Sequence, residues 1–119
     1  MTSTGLVFSP LSIVLAAVFC AAGGSKLAGA PAMRETAAHL RISPVTDRVV
    51  GALELAAVAG LLIGFWAVGL AIAASAGLAL LMAGAVLVHR RVHDQLGRYM
   101  PALVLGLLAA ANVVLLVLA

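Results

Sequence analysis

The chain alternates long apolar runs with short polar stretches, and the lengths of those runs predict the elements. Val49 to Val88 is forty residues in which Glu54 is the single charge. Forty helical residues rise about 60 Å, twice a hydrocarbon core of about 30 Å, so this run folds back on itself as two helices. The turn is predicted at Gly64-Phe65-Trp66-Ala67-Val68-Gly69, where two glycines bracket a tryptophan suited to headgroup level. Four spans follow, over 9–24, 48–64, 67–89 and 99–119, with Pro101 tolerated in the first turn of the last. The expected fold is all-α, a transmembrane four-helix bundle forming one integral membrane domain over 1–119.

The first polar stretch is bounded by Pro31 and Pro44. Within it Met33, Ala37 and Leu40 recur at helical spacing, with Arg34 and Arg41 on another face. That pattern predicts a short helix lying at the membrane surface, either a plain connector or a lid over a site.

Composition supports the membrane reading. Hydrophobic residues make up 65% of the chain and charged residues 9%, against about 25% charged in soluble domains. With 119 residues there is space for four spans and little else. One cysteine, Cys20, excludes an intramolecular disulfide and any CxxC pair, and its apolar setting predicts a buried small hydrophobe.

Charge then adds orientation. All seven Lys and Arg fall in the connections after the first and third spans. The positive-inside rule makes both connections cytoplasmic and both termini external. The formal charge of +3 is therefore explained by topology and anionic lipid, and no nucleic-acid partner is expected. Met1 to Gly5 carries no basic residue, so the first run is expected to be a retained span rather than a cleaved leader.

Small residues recur every fourth position: Ser12, Ala16, Cys20 and Gly24; Ala52, Ala56, Gly60 and Gly64; Gly69, Ala73 and Gly77. Such stripes predict close helix approach in lipid. Glu54 points roughly 160° away from the second stripe, on a face with Val50, Gly51, Ala57, Val58 and Leu61. Two faces wanting a neighbour suggest a homo-oligomer.

The candidate chemistry centres on Glu54, because no topological rule requires it. It lies about 9 Å deeper than Arg48 along the helix, while Lys26 and His89 close the first and third spans at the same edge. Carboxylate, amine and imidazole can converge there to neutralise one another, relay a proton or bind a polar head group. Against this, Lys26, Arg90 and Arg91 also serve as topology markers and His89 as an interfacial residue. His89 and His93 share a metal-ligand spacing, but only Glu54 or Asp94 offers a third ligand and Arg90 and Arg91 repel a cation; no metal is expected. Asn112, alone in the last span, is expected to hydrogen-bond across helices. No nucleophile elbow, P-loop, dinucleotide fingerprint or deaminase motif is present.

Three segments together resemble a known family. Gly23-Gly24-Ser25-Lys26-Leu27-Ala28-Gly29 is similar to the G-x-x-K-L-x-G signature of the DoxX-like family, and Gly51-Ala52-Leu53-Glu54-Leu55 to its G-x-L-E-L stretch. Gly84 to Arg91 resembles its third-span ending, where a histidine precedes basic residues. The resemblance implies a multi-pass protein of the bacterial inner membrane. Larger relatives include a membrane subunit associated with quinone-linked sulfur oxidation and partners in thiol and oxidative-stress systems. It also implies that Lys26, Glu54 and His89 are the positions that matter. A single cysteine departs from the redox members and excludes dithiol exchange within the chain.

Three functions stay open at this point. The leading one is an accessory subunit that anchors a redox-protein partner and holds a quinone or other membrane lipid near Lys26, Glu54 and His89. The second is a small proton-coupled exporter of lipophilic compounds using Glu54, against which stands an aromatic content of 4%. The third is a membrane enzyme acting on a lipophilic small molecule, with Glu54 and His89 as acid and base.

Overall fold

The computed structural model describes residues 9–119. They form five helices: α1 (Pro10–Ala28), α2 (Pro31–His39), α3 (Pro44–Ile63), α4 (Val68–Arg91) and α5 (Leu96–Leu118), with no strand among the described residues.

Local chemistry fixes the ends. Proline opens α1, α2 and α3, where its missing N–H costs nothing. The hydroxyls of Ser9 and Ser43 accept from the backbone N–H of Ser12 and Thr46, capping α1 and α3. Helix α1 runs through Gly23-Gly24 and stops at Gly29, which takes the left-handed conformation at φ 67°. It is thus longer than the predicted span 9–24, because Gly29 rather than the glycine pair terminates it. Helix α3 begins before the predicted residue 48, at the Ser43-Pro44 cap. Helix α5 begins at Leu96, which puts Pro101 inside the helix instead of in its first turn. Pro101 cannot donate to the carbonyl of Gly97 there.

The α3–α4 turn falls where the sequence placed it. Trp66 N–H donates to Ile63 O over 3.0 Å, and Trp66 is exposed. Gly64 is buried against α4; a Cβ there would collide with Ala71.

Helix α1 packs on α3 and α4 on α5, while α3 against α4 joins the two pairs. The core contains Leu15, Phe19, Val58, Leu61, Leu78 and Met82. The exterior is apolar as well, with Ile13, Leu53, Leu62, Leu80, Leu107 and Val114 all exposed. An apolar exterior of this extent is the surface of a protein in lipid. Helices α1, α4 and α5 are long and apolar enough to cross a membrane. Helix α3 has 20 residues but carries Asp47, Arg48 and Glu54.

Two expectations are corrected. Cys20 is exposed on the apolar exterior, not buried. The small-residue stripes are mostly not the packing seams: Ala52, Ala56, Gly69, Ala73 and Gly77 are exposed, and only Gly60 and Gly64 of the α3 stripe meet α4. The reason lies in Glu54. Its carboxyl turns inward with Gly51, Val58 and Leu61, which rotates Ala52 and Ala56 outward. The close crossing is Gly23 on Gly51, where a Cβ on either would lie 2.8 Å from the other's carbonyl oxygen.

Candidate functional site

The Gly23–Gly51 crossing builds the site. Lys26 and Glu54 each follow one of these glycines by three residues, so the contact brings their helix segments together. Lys26 Nζ stands 2.8 Å from Glu54 Oε1. Glu54 is 1% exposed, and Oε1 has no other donor among the described residues. Lys26 keeps its stem on apolar surface with its side chain 19% exposed. A buried carboxylate with one partner depends heavily on that partner.

Lys26, Glu54 and His89 line one cavity of about 490 Å³. Its wall is apolar, from Phe19, Leu81, Met82 and Leu105, and Arg98 adds a second cation. Met33, Thr36 and Leu40 close it from the α2 side. The three predicted site residues therefore share a chamber.

His89, however, is held elsewhere. Its Nδ1 lies 2.7 Å from Asp94 Oδ2, and His39 Nε2 lies 2.6 Å from Asp94 Oδ1. The ionised carboxylate can only accept, so both ring nitrogens carry the proton in these bonds. Arg98 Nε stands 3.8 Å from Asp94 Oδ1. The Asp94 side chain is 5% exposed. Burial pushes its carboxyl up, but the bonds from His89 and His39 and the charges of His39 and Arg98 outweigh that and hold it below the ordinary 3.8.

The backbone explains how Asp94 reaches His89. Helix α4 ends at Arg91, and His93 takes the left-handed conformation at φ 61°. His93 N–H donates to Arg90 O and Asp94 N–H to His89 O, which folds the chain back under the helix end. His93 therefore leaves the helix face that the His89/His93 spacing implied. A matching turn ends α2, with Arg41 at φ 60°; there Arg91 Nη2 donates to Leu40 O over 2.9 Å. Two non-glycine residues in this sparsely allowed region, at adjoining helix ends, mark a built junction.

Among the described residues no group of three or more His, Cys, Asp or Glu is arranged to hold a metal ion. His39 is the residue that sequence reading passed over, and Asp94, weighed there only as a metal ligand, instead joins His89 to His39. His39 lies in a short polar helix without a contrasting background, and a left-handed turn at a histidine carries no sequence signal. Asn112 fulfils its expectation at the far end of the bundle. Its Nδ2 donates to Ser12 and Ser75, and its Oδ1 accepts from Ser9, at 2.6–3.0 Å.

Chemically the chamber offers an apolar wall, two cationic donors, a paired carboxylate and an oriented imidazole. No curated protein and no solved structure matches the chain significantly. The model of the DoxX-like family matches residues 10–118, from the first residue of α1 to the last of α5, and the chain belongs to that family.

Proposed function

We propose that this DoxX-like protein crosses the bacterial inner membrane four times, with both termini outside, and holds a lipophilic ligand with a polar head, of the quinone class, in the chamber lined by Lys26, Glu54 and His89. In this role it is an accessory subunit serving a redox partner. The observation that carries the reading is the chamber itself. Its volume of about 490 Å³ falls in the range typical of small-molecule sites, about 300–1,000 Å³. Its polar groups gather with an apolar wall beside them, which suits a ring carbonyl at one end and an isoprenoid chain at the other. Helix α3 can act as the fourth span because Asp47 and Glu54 are turned inward and buried, while its third charge, Arg48, is exposed within the first turns of the helix. The exporter reading is less well supported: a proton-exchanging carboxylate has to be released, whereas Glu54 is held by Lys26 and 1% exposed.

Extraction of protein purified in native lipid, followed by mass analysis, tests this. Quinone is expected at near-stoichiometric amount, falling several-fold in Lys26→Met. Absence of quinone from the wild type, together with no binding of an added quinone analogue, would refute the reading.

A further inference from the structure

A second, smaller cavity adjoins the first on the other side of Lys26. We propose that it binds a phosphate ester, through the guanidinium groups of Arg34 and Arg48 with the Lys26 amine at its wall. The cavity measures about 150 Å³ and is lined by Lys26 from α1, Arg34 from α2, and Asp47 and Arg48 from α3, around Gly29. Lys26 and Asp47 line both cavities.

Three observations point to an anion. First, neither Arg34 nor Arg48 forms an ion pair among the described residues, whereas Lys26 is engaged by Glu54. Two arginines and one aspartate, Asp47, line the cavity, which leaves an excess of one positive charge. A phosphodiester carries one negative charge, and a monoester carries more. Second, the cations come from three different helices, so the fold gathers them; they do not merely follow one another along a basic stretch. Third, the head of Arg48 lies against the α1–α2 turn at Gly29. A Cβ at that position would lie 3.8 Å from an Arg48 guanidinium nitrogen, over the α1–α2 turn. Arginine forks match phosphate oxygens in pairs, which gives the site geometry as well as charge. The cavity sits at the end of an apolar bundle, so the phosphate can belong to a lipid head group or to a soluble compound. The recognising chemistry is the same.

The test uses the full chain in a maltoside detergent and follows the unfolding temperature. The probes are inorganic phosphate, short-chain phosphatidylglycerol and a diacylglycerol with the same chains. Saturable stabilisation by phosphatidylglycerol but not by diacylglycerol is expected. Stabilisation by inorganic phosphate as well identifies a soluble source, and its absence identifies a lipid head group. Arg34→Gln and Arg48→Gln should each weaken the response about tenfold, the loss of one charge-assisted contact. Arg90→Gln removes the same charge from a position that is exposed, as Arg34 and Arg48 are, but lines neither cavity, and should leave it within about twofold. If a glutamine variant does not fold, Arg34→Lys and Arg48→Lys keep the charge but lose the fork, and should weaken binding by a smaller factor. Equal loss in Arg90→Gln, equal stabilisation by diacylglycerol, or no response to either phosphate probe would overturn the proposal. Loss of bound quinone is a separate readout, unaffected in Arg34→Gln.

Discussion

Glu54 behaves as a charge that the fold is arranged around. Its carboxyl chooses which face of α3 turns inward, and the Gly23–Gly51 contact supplies the amine that makes burial tolerable. Removing one partner from such a pair costs about 3–5 kcal/mol, while replacing both by apolar groups is often neutral. Lys26→Met should therefore lower stability by about 3 kcal/mol, and adding Glu54→Leu should restore most of it. Chemical unfolding in detergent of both single variants and the double variant reads this coupling. Independent, additive losses would show that the two groups do not act as a pair. This part of the site was legible, since a lone carboxylate in an apolar run has few explanations. The Gly23–Gly51 seam was harder to see, because an alanine-rich chain offers many small-residue stripes and only packing decides which one closes.

At the level of elements, α2 is the weakly held piece. It touches α1 and α3 lightly, buries Ala37, and is tied to the α4 end through His39–Asp94 and Arg91–Leu40. Asp94 titrates lower in the folded protein than its ordinary 3.8. A depressed carboxylate contributes stability that is complete above the unfolded value and is lost as pH falls through the folded one. The attachment of α2 should thus be intact above pH 3.8 and weaken progressively below it. Amide-exchange protection of α2, corrected for intrinsic rates, measures this. Asp94→Asn should show reduced protection already at neutral pH, and unchanged protection would remove Asp94 from the role. The sequence indicated this short helix through its proline bounds and apolar spacing. The junction itself was invisible there, because it depends on left-handed turns at Arg41 and His93 where a glycine would have been the readable signal.

For the molecule as a whole, four long helices and an apolar exterior follow directly from the run lengths and the fold-back at Gly64–Ala67. Helix ends differed where caps, not hydropathy, decide them: Gly29 for α1 and Ser43 for α3. Asp47, Arg48 and Glu54 set α3 apart from the three more apolar helices, although Asp47 and Glu54 are buried. The four crossings proposed above would put the end of α5 on the side of the membrane away from Arg34, Arg41, Arg90 and Arg91. Reporter fusions active only outside the inner membrane should work at the C-terminus and fail in the connection after α4. Activity on opposite sides for the two termini would mean that α3 does not cross.

The central claim is that the chamber beside the Lys26–Glu54 pair takes a lipophilic ligand. Ala102 lines that chamber and is not part of the Lys26–Glu54 pair, so Ala102→Phe narrows it while both partners of the pair are kept. Native mass spectrometry of the protein released from lipid nanodiscs, comparing wild type with Ala102→Phe, measures occupancy directly. A defined small-molecule adduct on the wild type, absent from the folded variant, is the result expected. The same adduct on both proteins, or none on the wild type, would contradict the account.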